Sequence, residues 1–180
     1  MSLFLATLLP GLFLALLGAL LLWNDPRVAS TARRLPRSRR GAVLFFGVGA
    51  LWFLWRVSRL NESDLIFFQH PWPVMAGFAV LAVLAFFQTP DFLAVRGLCL
   101  LHLLIAEHLL YAGYMVFSWQ VYPYKIAVYA GLVLAVYLAA APYRLRDFFA
   151  WLFHVPGRAR RAGWGLLVYG LATAAAAFTY

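Results

Sequence analysis

Six apolar stretches, parted by polar or proline-bearing breaks, run the length of this chain. The first covers residues 3–23 and stops at Asn24-Asp25-Pro26, a cluster that ends helices. The others cover residues 41–57, 73–88, 92–119, 124–141 and 162–178. A hydrocarbon core about 30 Å thick needs about 20 helical residues, so most of these stretches are long enough to cross it. The pattern predicts an all-α fold, a polytopic integral membrane protein of about six transmembrane helices in a single domain spanning residues 1–180. A short interfacial helix (YRLRDFFAWLFH) mixes arginines with aromatics just before the last span.

The breaks carry their own information. Leu65 to Pro73 is apolar but holds two prolines, which fits an interfacial or re-entrant turn better than a regular span. Thr89-Pro90-Asp91 reads as a tight reversal, with Thr89 as cap and Pro90 opening the next helix. The N-terminal stretch lacks a basic leader and is followed, not preceded, by positive charge. It reads as a retained first span rather than a signal peptide.

Composition agrees with the membrane class: 65% of residues are hydrophobic and 12% are charged, against about 45–50% and about 25% in a soluble domain. The net charge of +9 would suggest nucleic acid in a soluble protein. Here the basic residues flank apolar segments and mark topology, so nucleic acid is not expected as a partner. If Arg27–Arg40 faces the cytoplasm, six crossings put the second arginine-rich loop, with Arg144, Arg146, Arg158, Arg160 and Arg161, on the same side. Five would put the two loops on opposite sides. The positive-inside pattern thus favours six, with both termini outside and a bacterial-type cytoplasmic (inner) membrane as the location. Tryptophans and tyrosines near the span ends, Trp23, Trp55, Trp72, Trp119 and Trp164 among them, suit an interfacial belt.

The candidate chemistry is concentrated on one span. His102, Glu107 and His108 sit on the stretch 92–119, near its middle, where ionisable groups cost about 2.5 kcal/mol or more. Five residues separate His102 from Glu107, which turns them about 140° apart on a helix. Glu107 shares a face with Tyr111 and Tyr114, and His108 with Tyr111 and Met115. The functional reading is an intramembrane polar site with Glu107 titrating and a histidine as relay. The structural reading is that each group is satisfied by a different neighbour and pins helix packing.

Other readings fall away for want of ligands. Haem needs two axial histidines at matched depth on different helices, and no other span contains one. Di-metal and zinc sites lack their motifs, and phosphate-binding and nucleophile-elbow motifs are missing, so no cofactor or metal is expected. Cys99 is the single cysteine, which excludes an intrachain disulfide. His70 belongs to a proline-rich turn, and Asn61-Glu62-Ser63 is a chance-level glycosylation triplet. Arg33, Arg34, Arg37, Arg39 and Arg40 are candidates for contact with lipid headgroups or an acidic partner. Gly47, Gly49, Gly113, Gly165, Gly170 and Ala174 to Ala177 offer small surfaces for close helix packing.

Three functional classes remain. A non-enzymatic subunit or scaffold of a membrane assembly comes first, partnered by the lipid bilayer and by other membrane subunits or further copies of itself. A small proton-linked transporter centred on Glu107 is the first alternative. A membrane enzyme acting on a lipidic substrate is the second.

Overall fold

The computed structural model describes residues 1–23, 25–60, 70–88, 91–155 and 157–179. Among them there is no strand. The chain forms α1 (Leu3–Trp23), α2 (Pro26–Arg34), α3 (Arg39–Val57), α4 (Trp72–Gln88), α5 (Leu93–Ala112), α6 (Tyr122–Ala140), α7 (Tyr143–Leu152) and α8 (Arg158–Ala176). Five stretches are long and apolar enough to cross a membrane: α1, α3, α5, α6 with the short turn before it, and α8 with the turn after it. At 17 residues α4 is apolar but shorter. The expected break over residues 65–73 lies mostly outside the described residues, as do Thr89 and Pro90.

Two boundaries differ from expectation. The stretch 92–119 is helical only to Ala112: Gly113 and Tyr114 turn, and Met115 takes φ 60°. Lys125 holds that turn by donating from Nζ to the Val116 carbonyl at 2.8 Å. The arginine-rich segment after α1 is not a plain loop. Asp25 caps α2 by accepting from the Arg27 backbone N–H at 2.7 Å, and Pro26 fits the first helical position, where no N–H is needed. The cluster that ends α1 also starts the next helix.

α1 and α8 run antiparallel in close contact, with Phe4 edge-to-face on Phe178 at one end and Gly18 against Gly163 and Leu167 towards the other. A Cβ on Gly11 would lie 2.5 Å from the Ala174 backbone nitrogen, and one on Gly18 would lie 2.5 Å from that of Leu167. These helices meet backbone to backbone, as small residues spaced three or four apart allow. Thr7 and Thr173 are fully buried here, and their hydroxyls donate to carbonyls one turn back, Leu3 and Tyr169. Of the small residues expected to pack, Gly49, Gly113, Gly170 and Ala174 do so, whereas Gly47 and Gly165 face open space.

α5 is the hub. It is 44% buried, against 17–28% for the other long helices. Its faces meet α1 and α6 through Ala6, Ala106, Leu109, Tyr124 and Val128, α6 again through Val95, Cys99, Ala135 and Leu138, and α3 with α4 through Ala42, Leu93, Ala94 and Phe86. At Gly97 the α5 backbone touches that of Phe45 and Phe46, inside a five-residue π-helical turn (Ala42–Phe46) of α3.

Candidate functional site

α5 runs from residue 93 to 112, so His102, not Glu107, stands at its midpoint. Glu107 is five residues from the C-terminal end, about 7.5 Å along the axis. That shorter distance brings Glu107 level with the C-terminal turn of α3, where its carboxylate accepts from the Arg56 guanidinium in an ion pair. Both side chains remain partly exposed, at 52% and 41%. The pair explains how an acidic group is tolerated near the end of an apolar helix: a cation from the neighbouring span neutralises it.

The other polar groups of α5 go elsewhere. His108 Nδ1 lies 3.0 Å from the Leu104 carbonyl, one turn back, and its ring rests 5.6 Å from the Trp52 ring of α3. His102 points to α6, where its ring fills the space left by the missing side chain of Gly131. The His102 Nε2 is buried and makes no hydrogen bond of normal geometry, the Val128 backbone being the polar group beside it. Tyr111 and Tyr114 are 81% and 72% exposed and face outward. The five residues His102, Glu107, His108, Tyr111 and Tyr114 therefore do not converge on one centre. Among the described residues no group of three or more His, Cys, Asp or Glu comes together to hold a metal.

Two measurements probe this arrangement. Arg56→Gln and Glu107→Gln are each expected to lower stability by about 1 kcal/mol, the upper range for a partly exposed pair. The charge-swapped double variant should recover most of it in detergent-solubilised thermal melts, and strictly additive losses would dismiss the pair. Gly131→Ala places a methyl 2.6 Å from His102 Cε1. It is expected to cost about 1–3 kcal/mol by overpacking, and His102→Ala in the same chain should restore much of that loss.

The second group of candidate residues lies at the opposite end of the bundle. Arg33 donates to the Phe153 carbonyl at 3.1 Å and lies 5.7 Å from that ring. Arg37 lies 5.3 Å from the Phe92 ring, and Arg158 lies 4.8 Å from the Trp151 ring while donating to that residue's carbonyl. Arg34, Arg39 and Arg40 are exposed. The Arg33 contact ties α2 to the end of α7, and the three together gather both arginine-rich segments on one end. That end holds twelve arginines against Asp25, Asp91 and Asp147, while the described residues of the other end hold Arg56, Arg59, Lys125 and Glu107.

Sequence reasoning missed the residues that matter most for packing: Gly11, Gly18, Gly97, Gly131 and Gly163. The signal for the terminal pair was present, as Thr7, Gly11, Ala15 and Gly18 fall on one helix face, and so do Gly163, Gly170 and Ala174. For Gly131 there was none, because its significance depends on a histidine of another helix. Comparison with protein-family models, with curated proteins and with solved structures finds no match to this chain.

Proposed function

We propose that this chain is a six-span membrane protein whose arginine-rich end faces the cytoplasm, and that it serves as a non-enzymatic subunit or scaffold of a membrane assembly. The observation that carries this reading is the state of α4. None of its described residues is buried. Phe78 meets Phe53 and Phe86 meets Phe46 edge-to-face, but an apolar cleft of about 230 Å³ remains between α3, α4 and α5. Val80, Val83, Leu84 and Phe87 lie outside that cleft and are exposed. A helix so lightly held by its own chain suits packing against an apolar helix of a second subunit. The ion pair of Glu107 with Arg56 further supports a structural role, because it ties the C-terminal ends of α3 and α5 together.

Native electrophoresis in mild detergent tests the reading. The expected species is larger than the 20.3 kDa chain, persists in Glu107→Gln and falls to the monomer in Val80→Lys/Leu84→Lys. A wild-type monomer would overturn it. So would pH-driven uptake in proteoliposomes that Glu107→Gln abolishes, which would favour the transporter.

A further inference from the structure

α3 carries on its outward side a groove that the rest of the chain leaves uncovered. Its walls are Val43, Leu44, Val48 and Leu51, and its floor is Gly47, where an added Cβ would meet no atom within 4 Å. The space along it is about 810 Å³, shallow and open to the surroundings, and all the residues that border it belong to α3. Val43, Leu44 and Leu51 are 59%, 58% and 70% exposed. The π-helical turn contributes to this shape: one side of it is pressed on Gly97, and the other forms the upper wall. Such turns are frequent at functional sites. Val43 to Leu51 spans about 12 Å of helix, most of the depth of one leaflet.

Arg39 and Arg40 close the groove at its upper end. Both are exposed, and neither has a hydrogen bond, ion pair or ring contact among the described residues. They also occupy the first turn of α3, where the helix dipole disfavours cations. Two unneutralised guanidiniums at a positive helix end, above an apolar channel one leaflet deep, complement an anion attached to a hydrocarbon chain.

We propose that this groove binds one anionic phospholipid, with its phosphate held by Arg39 and Arg40 and an acyl chain lying over Gly47 along Val43, Leu44 and Leu51. Guanidinium–phosphate pairing is bidentate and charge-assisted, and removes the repulsion between adjacent arginines and the helix end. The proposal rests on α3 spanning the membrane with its arginine end at the headgroup level.

Native mass spectrometry of the full chain in detergent, titrated with phosphatidylglycerol or phosphatidylcholine, provides the test. One phosphatidylglycerol per chain is expected, preferred about tenfold over phosphatidylcholine. Arg39→Gln/Arg40→Gln and Gly47→Leu should each lower its occupancy at least fivefold, and Arg160→Gln/Arg161→Gln, two exposed arginines at the same end, should leave it nearly unchanged. Leu51→Gln, at a side chain 70% exposed, provides a second groove variant should Gly47→Leu fail to accumulate. Equal binding of both lipids would overturn the proposal, as would equal loss in Arg160→Gln/Arg161→Gln. A dimer abolished by Gly47→Leu would overturn it in favour of a second copy as occupant. Release of the protein from membranes by alkaline carbonate would instead sink the membrane reading beneath it.

Discussion

Gly11→Leu and Gly170→Leu are each expected to separate α1 from α8 and to give the largest loss of stability of any single exchange in the bundle. A Cβ at Gly11 meets the Ala174 backbone nitrogen at 2.5 Å and the Gly170 carbonyl oxygen at 2.9 Å. One at Gly170 falls on the backbone of Ala15 and lies 2.7 Å from the Gly11 carbonyl oxygen. These are backbone atoms, so no rotamer change relieves the overlap. The helices must move apart, forfeiting the dispersion contacts that hold spans together where the lipid is as apolar as the side chains. The expected cost is about 3 kcal/mol, the upper end for overpacking. Gly165→Leu is the control: it lies on the same helix with no atom within 4 Å of its Cβ, and should shift stability by less than about 0.5 kcal/mol. Thermal unfolding in detergent reads both, and equal melting of Gly165→Leu and Gly170→Leu would contradict the contact.

Gly97→Leu should rank second. Its Cβ would lie 2.6 Å from Phe46 Cα and 2.7 Å from the Phe45 carbonyl carbon, at the point where the π-helical turn of α3 seats on α5. Pushing α3 away there strips cover from Ala42, Leu93 and Ala94, three buried residues of that contact. The expected loss is about 2–3 kcal/mol. It should come with weaker retention of α3: a disulfide between cysteines placed at Gly41 and Ala94, whose Cβ positions are 3.4 Å apart, would form readily in the parent and poorly in Gly97→Leu. Undiminished cross-linking would show that α3 does not depend on this seat.

Much of the fold could be read from hydropathy because each long helix is an apolar run bounded by proline, glycine or charge. α1 and α4 begin and end within a residue of expectation for that reason. The end of α5 was not legible. Apolar residues continue past Ala112 to Phe117, and it is Gly113, pressed by the Tyr124 side chain, with Lys125 holding the Val116 carbonyl, that stops the helix. That shortening moved Glu107 from mid-depth to the level of Arg56. The α2 helix was hidden by its arginines, which lower hydropathy without lowering helix propensity.

The polar residues of α5 were legible as costly but not as to their partners. Helical angles show that His102, Glu107 and His108 diverge. Which neighbour receives each one depends on contacts such as Arg56 with Glu107, 51 positions apart in the chain, and no local pattern encodes those. The same holds for Gly47 and Gly49. Both look like packing residues in sequence, yet a Cβ on Gly49 would meet the Leu100 side chain while Gly47 opens a groove.

Single-cysteine labelling tests the six-crossing arrangement most directly. In a Cys99→Ala background, which removes the one buried thiol, cysteines replace Ser2, Ser30, Ser118 and Thr179, all exposed. With the arginine-rich end inside, Ser2→Cys, Ser118→Cys and Thr179→Cys should react with a membrane-impermeant maleimide on intact cells, and Ser30→Cys only after permeabilisation. Labelling of Ser2→Cys and Thr179→Cys from opposite sides, or of Ser30→Cys on intact cells, would contradict it.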